Sequence, residues 1–331
     1  MMYGVPILLH CHTNHSDGDF TPQQLVQAAK EAGYQGMTLT DHNTCSGYEV
    51  ISQTTDFPAL RSMEWTTYYG HMLVHGIKKI VDWRDATIDN IDTKIDEVWE
   101  DGGVVGIAHP FDPGSPICTG CHWEFDVKNW HHIHYIEIWN GEFPELSPFS
   151  ERAYAFWKEK LMTGAPIFPA AGRDWHRSFQ KRSRPAVNFL GIKGKVTPNK
   201  IHEALIARHT LCSLAPGVNL QILANGRPIE PGDRFGCTER IVIDVSTVPT
   251  NLPAFAKAQY HVDQWKLLSN EKIIAEACQN QEGSDDLSFH YEGVVPEGLL
   301  RLEACGTVDD GPLTPLVLCA PLQVLPTPRC Q

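Results

Sequence analysis

The sequence predicts an α/β chain of 331 residues: a strand–helix barrel over residues 1–215, then a small all-β, sandwich-like unit over 216–331. Three observations carry this. Short apolar runs, such as residues 5–9 and 104–108, alternate with stretches of helical apolar spacing, the pattern of buried parallel strands joined by helices. Most of these runs end in a polar residue of the kind that binds metal or moves protons. Beyond Leu214 the helical spacing gives way to alternating runs broken by Asn225-Gly226 and Pro231-Gly232-Asp233, which are hairpin and turn chemistry.

In order, the run at 5–9 reads as an interior strand ending at His10-Cys11-His12, where alternation sets the two histidines on one face and Cys11 on the other. Thr21-Pro22 caps a helix carrying Leu25, Val26, Ala28 and Ala29, which Gly33 ends. A second strand at 37–40 leads into Asp41-His42. A weak strand at 59–63 ends at Glu64, and a stronger one runs from His71 to Gly76. Ile88, Ile91, Ile95, Val98 and Trp99 mark one helical face, stopped by Gly102-Gly103. The strand at 104–108 terminates in His109-Pro110, and that at 133–139 ends at Asn140. Ser147-Pro148 opens the next helix, the strand at 166–170 leads into Asp174-Trp175-His176, and Thr197-Pro198 begins a last helix. The later runs at 219–224, 240–245, 299–304 and 316–325 read as strands of the appendage.

Composition narrows the function. Lys and Arg number 27 against 40 Asp and Glu, a formal charge of −13, which argues against non-specific nucleic-acid binding. No apolar run reaches the ~20 residues of a membrane helix and the start lacks signal-peptide flanks, so no membrane association and a cytoplasmic location are expected. Ten cysteines without dense spacing read as reduced, buried thiols, and Cys118-x-x-Cys121 as a loop.

In a parallel barrel all strand C-termini open on one face, so scattered strand-end residues converge. Collected, they are His10, His12, Asp17, His42, Glu64, His71, His109, Asp174 and His176, six imidazoles and three carboxylates. This donor set suits Zn, Mn or Fe, and the lack of thiolates argues against a structural cysteine site. Nine donors exceed what one tetrahedral ion takes, so two or three divalent ions are expected, with Glu64 able to bridge a pair. His131, His132 and His134 precede a strand and read as surface loop. Trp123, Trp130 and Trp175 read as core more readily than as a substrate wall.

These residues resemble the polymerase and histidinol phosphatase (PHP) superfamily of metal-dependent phosphoesterases. The matching pieces are His10-x-His12-Thr13-x-x-Ser16-Asp17-Gly18, Leu39-Thr40-Asp41-His42-Asn43, Glu64, Gly70-His71, His109-Pro110 and Asp174-x-His176, in the family's order over roughly residues 5 to 212. The resemblance implies a distorted seven-stranded β/α barrel. It also implies one ion on His10, His12, Glu64 and Asp174, a second on Glu64, His71 and His109, and a third on Asp17, His42 and His176. The appendage and the stretch at 136–141 look like a branch that includes a carbaryl-hydrolase-like carbamate esterase. Arg173, and Ser62-Met63 before Glu64, depart from the family pattern beside ligand positions.

The chemistry expected is hydrolysis of a small-molecule phosphoester by a water that two ions deprotonate. Asp41 and His75 are candidates for proton transfer or for orienting a ligand histidine, and Arg173 and Arg177, in a basic cluster with Lys181, Arg182 and Arg184, for gripping phosphate oxygens. The same ions would serve a carbamate, carboxylic ester or amide. A relict barrel carrying a binding module is the reading from another class.

Overall fold

A computed structural model describes residues 2–113, 122–178, 183–214, 216–250, 252–253, 259–279, 287–309 and 311–327. The first part runs β1 (Val5–Leu8), α1 (Pro22–Glu31), β2 (Gly36–Leu39), α2 (Ser46–Thr54), β3 (Ala59–Thr67), β4 (Gly70–His75), α3 (Ile91–Glu100), β5 (Val104–Ile107), β6 (Tyr135–Asn140), α4 (Pro148–Leu161), β7 (Phe168–Gly172), β8 (Val187–Leu190), α5 (Pro198–Ala207) and β9 (Thr210–Ser213). Helix starts follow the cap chemistry. Thr21 and Gln24 form a reciprocal capping box at α1, and the Ser147 and Thr197 hydroxyls accept from backbone N–H groups of α4 and α5, each with proline at the first turn. Helix α2 has no such cap and escapes the sequence reading; Cys45 precedes it without a side-chain bond.

The fold is mixed α/β around an extensive sheet, and strand direction departs from the all-parallel expectation. Pairs β1/β2, β2/β3, β5/β6 and β6/β7 are parallel, but β4 is antiparallel to both β3 and β5, and β8 to both β1 and β9. Strand β3 also runs on past Glu64, which therefore sits within a hairpin strand rather than after a strand's last residue. The ladder runs β9-β8-β1-β2-β3-β4-β5-β6-β7. Between β7 and β8 the buried Asn188 amide accepts from the Ala171 N–H at 2.8 Å and donates to the Ala171 carbonyl at 2.7 Å, a side chain standing in for a ladder. A parallel bridge between Cys11 and Trp175 ties the end of β1 to the segment after β7.

The second part comprises β10 (Gly217–Ala224), β11 (Arg227–Ile229), β12 (Arg234–Gly236), β13 (Ile241–Val248), β14 (Tyr260–Ser269), β15 (Lys272–Cys278), β16 (Ser288–Gly293), β17 (Gly298–Val308), β18 (Thr314–Cys319) and β19 (Leu322–Leu325). Asn225 and Gly226 both take positive φ, 48° and 78°, which is what a two-residue hairpin turn between β10 and β11 requires. Strands β10, β11, β13 and β16 make a separate four-stranded sheet. The others join the large sheet, because β18 pairs with β9 through Val317–Ser213, Leu318–Cys212 and Cys319–Leu211. The sheet is thus continuous across the boundary expected at 215.

Two hydrophobic clusters result. The larger includes Trp65, Trp157, Trp265 and Phe235; the smaller gathers Ile7, Leu9, Leu60, Leu73, Tyr135, Phe168 and Leu190 between the strands. Among the described residues seven cysteines are free thiols, five of them buried, while Cys118 and Cys121 lie outside the described residues. No helix among the described residues is long and apolar enough to cross a membrane.

Candidate metal centre

Antiparallel β4 decides which histidines meet. In the β3–β4 hairpin Glu64 faces Leu73 and Thr66 faces His71, so the first residues of β4 lie at the end where the parallel strands deliver their ligand-type residues. Glu64 is fully buried and central. Its Oε2 lies 3.2 Å from His10 Nε2, 3.4 Å from His12 Nε2 and 3.0 Å from His42 Nδ1. Its Oε1 lies 2.9 Å from His71 Nδ1 and 3.1 Å from His109 Nε2. Asp174 Oδ1 stands 3.0 Å from His12 Nε2 and 3.3 Å from His10 Nε2. At the outer edge Asp17, 54% exposed, sets Oδ1 3.3 Å from His42 Nε2 and 3.1 Å from His176 Nε2.

All nine candidates therefore meet. Their atoms fall into overlapping groups that could each hold an ion: His10, His12, Glu64 and Asp174; His12, Asp17, His42 and His176; and His42, Glu64 and His71. His42 stands with Glu64 and His71 in the last group, while His109 contacts the same Glu64 oxygen as His71.

Several atoms suit a cation better than one another. Among the described residues His12 Nδ1 and Nε2, His71 Nε2 and Asp174 Oδ1 are buried without a hydrogen-bond partner, although His12 Nε2 and Asp174 Oδ1 are only 3.0 Å apart. They are near but misaligned for a hydrogen bond, as ligands aimed at a shared point would be. The donors are imidazole and carboxylate; Cys11 turns its thiol to the Thr38 carbonyl. Divalent Zn, Mn or Fe fits this set.

Electrostatics follow the packing. Burial alone would raise the carboxyls of Glu64 and Asp174, yet His10 and the other imidazoles hold both well below the carboxylate range. Burial pulls His12 down to about 4. Against the same penalty, Asp17 and Glu64 lift His42 to about 10, and Glu64 and Asp174 lift His109 to about 9. Backbone strain gathers here too: His109 (φ 23°), Asp174 (φ 50°) and Asn43 (φ 57°) are non-glycine residues in the left-handed region. Asn43 offsets its cost by pairing with both backbone groups of Thr66, which steadies the end of β3.

The other candidates divide. Asp41 does not orient a histidine: it accepts from the Thr13 N–H (2.6 Å), the Thr13 hydroxyl (2.7 Å) and the Ser16 hydroxyl (2.9 Å), folding the loop that presents Asp17. His75 is away from the cluster, because on antiparallel β4 four residues carry it about 13 Å from His71 into the interior. Its nitrogens meet Ser62 Oγ at 3.0 Å and Tyr135 OH at 2.6 Å, and burial pulls it down to about 3, which corrects its proton-transfer role. Arg173 is buried, bonded to Glu142 and Ser183 and stacked on Trp175 at 3.4 Å. Arg177 is exposed, next to His176. Arg184 pairs with Glu145 and Asp309; Lys181 and Arg182 lie outside the described residues.

His15, outside the candidate set, bonds the Ser46 hydroxyl on the surface. His134 is buried, not surface loop: its Nδ1 accepts from the Val105 N–H. Trp175 is core, and Trp123 and Trp130 are partly buried against it. One residue escaped the sequence reading. Glu137, 1% exposed in β6, accepts from His10 Nδ1 at 2.9 Å and from the His109 backbone N–H at 3.0 Å. A carboxylate inside the apolar run Tyr135-Ile136-Glu137-Ile138-Trp139 was the available signal.

Residues 9–82 match the PHP domain family. No curated protein matches the sequence. Over 96% of both chains, the fold is similar (TM-score 0.53, 16% identity) to a two-domain protein from Bacteroides vulgatus containing a predicted PHP-like metal-dependent phosphoesterase. Two shorter overlaps, each with TM-score 0.38, are a Bifidobacterium adolescentis protein provisionally named a metal-dependent phosphoesterase (16% identity, 60% of this chain, 95% of that one) and a Chromobacterium violaceum amidohydrolase (15%, 60% and 96%). The segment that supplies His10, His12, Asp17, His42, Glu64 and His71 is thus the one that matches the PHP domain family, within a fold similar to that of the two-domain Bacteroides vulgatus protein.

Proposed function

We propose that this chain hydrolyses a small-molecule phosphoester with two or three divalent ions, Zn, Mn or Fe. The observation that carries the reading is Glu64: one buried carboxylate within 3.4 Å of five imidazoles, with Asp17 and Asp174 closing the flanks. His10, His12, Glu64 and Asp174 would hold one ion, Glu64, His71 and His109 a second, and Asp17, His42 and His176 a third. Ions bound there acidify water and neutralise charge that develops on an oxyanion. Asp41 holds the loop bearing Asp17, and Arg173 fixes the Asp174–His176 segment through Glu142 and Trp175. Exposed Arg177 offers a cation to phosphate oxygens beside His176. In this reading residues 1–215 form a distorted seven-stranded barrel, supported by the Asn188 strut and the Cys11–Trp175 bridge, and 216–331 a β domain.

The test is elemental analysis, then turnover of aryl phosphate monoester, phosphodiester and carboxylic ester panels with and without chelator. Bound divalent ion with chelator-sensitive phosphoester turnover is expected. Purified protein that neither holds nor takes up ions, and turns over nothing, would overturn the reading in favour of a binding module.

A second reading, hydrolysis of a carbamate, carboxylic ester or amide on the same ions, draws support from Arg173, whose guanidinium is committed to Glu142 and Trp175. Chelator-sensitive turnover confined to the carboxylic ester panel would favour it.

A further inference from the structure

We infer that Glu137 is a positioning residue that sets the affinity of the inner part of the cluster, and that Gly172 exists to make room for it; this rests on the metal-dependent function proposed above. Glu137 is not among the nine ligand candidates, yet it reaches two of them from behind. One oxygen takes His10 Nδ1 at 2.9 Å; the other takes the backbone N–H of His109 at 3.0 Å. With its Nδ1–H held by Glu137, His10 would offer Nε2 to an ion, and Nε2 is the atom 3.2 Å from Glu64 and 3.3 Å from Asp174. The second bond acts on the main chain. His109 holds φ at 23°, a conformation disfavoured for any residue with a Cβ, and the bond from its N–H to a buried carboxylate offsets that cost.

A single side chain thus fixes a residue after β1 and a residue after β5 from a platform on β6. Strand β7 supplies the space. A Cβ on Gly172 would stand 2.4 Å from the Glu137 carboxyl carbon and from both its oxygens, so any larger residue there must displace the carboxylate. Gly172 is not in the left-handed region, so its need for glycine is this contact rather than backbone freedom. Among the described residues Glu137 bonds the His10 ring and the His109 N–H and not Asp17, His42 or His176, so the outer group does not depend on it directly.

The experiment titrates metal-free full-length protein with Mn(II) and with Zn(II) against a competing chelator, for wild type, Glu137→Gln, Glu137→Asp and Gly172→Ala, with ¹⁵N spectra of the histidine rings in the Zn(II)-loaded protein. Glu137→Gln is expected to weaken the ions held by His10 and His109 by about 10- to 100-fold while the outer group keeps its affinity. It should also shift the His10 ring away from the Nδ1–H form. Glu137→Asp, which keeps the charge, should recover part of the affinity, and Gly172→Ala should reproduce the loss with Glu137 still present. Wild type that binds ions, with both Glu137→Gln and Gly172→Ala binding them equally well, overturns this inference alone. Wild type that binds no ion overturns the functional reading and this inference with it.

Discussion

Two buried charged regions of this molecule look alike in composition and differ in how completely they are satisfied. Between α4 and the second part of the chain, Arg301 donates to both oxygens of Glu271 at 2.7 and 2.8 Å and to Glu303, whose carboxylate also accepts from the Tyr154 hydroxyl at 2.9 Å. None of these atoms is left without a partner. At the strand ends, carboxylates and imidazoles are packed as tightly, yet His12, His71 and Asp174 keep buried atoms unmatched. A closed ionic network joins elements of the fold. An incomplete one, when its unmatched atoms are imidazole and carboxylate donors facing one another, is a candidate for completion by a cation.

The largest effect that sharpens this contrast is at Glu64. Glu64→Gln should remove most of the bound ion, measured by elemental analysis after dialysis, and lower hydrolysis by on the order of a thousandfold, several kcal/mol of lost charge stabilisation. Full ion content in that variant would break the comparison. Next comes Arg301→Met, which strands Glu271 and Glu303 and should cost about 3–5 kcal/mol in denaturant unfolding, with ion content per folded molecule unchanged. Loss of ions there would mean the two regions are one system.

A smaller effect is expected at His75, whose partners Ser62 and Tyr135 complete a satisfied trio beneath the cluster. His75→Phe should cost about 1–3 kcal/mol of stability by leaving those hydroxyls short of a partner, with kcat unchanged. A fall in kcat at full occupancy would restore the proton-transfer role. The smallest is Arg177→Ala. An exposed cation contributes roughly 0.2–1 kcal/mol, so KM for a phosphoester should rise a few-fold, with KM for a carboxylic ester and the ion content unmoved. Equal shifts for both esters would tell against a phosphate-specific grip.

Much of the centre is legible in the sequence because ligand chemistry is a property of residue type. Imidazoles and carboxylates at the ends of apolar runs have few other reasons to be there, and the caps at Thr21, Ser147 and Thr197 act within one turn of chain. What was not legible depends on direction and on distant neighbours. His71 and His75 are equivalent in sequence, two histidines on one strand face; the reversal of β4 brings one to the cluster and sends the other inward. Asp41 beside His42 looked like a partner for an imidazole, but the nearer unsatisfied groups were Thr13 and Ser16. Glu137 read as one more residue in an apolar strand.

By itself, then, the sequence determined much of the inventory: most of the segments that extend or coil before residue 214, where the capped helices begin, and which side chains can donate to a cation. Those choices rest on short-range sterics, periodicity and the intrinsic chemistry of each residue. Only the tertiary structure decided the partition, which donors share an oxygen of Glu64, which histidine Glu137 orients, and how β18 joins β9 across the expected boundary. Hydrogen bonds form between atoms about 3 Å apart, and 127 residues separate His10 from Glu137 along the chain, so the packed strands alone could bring them within that range.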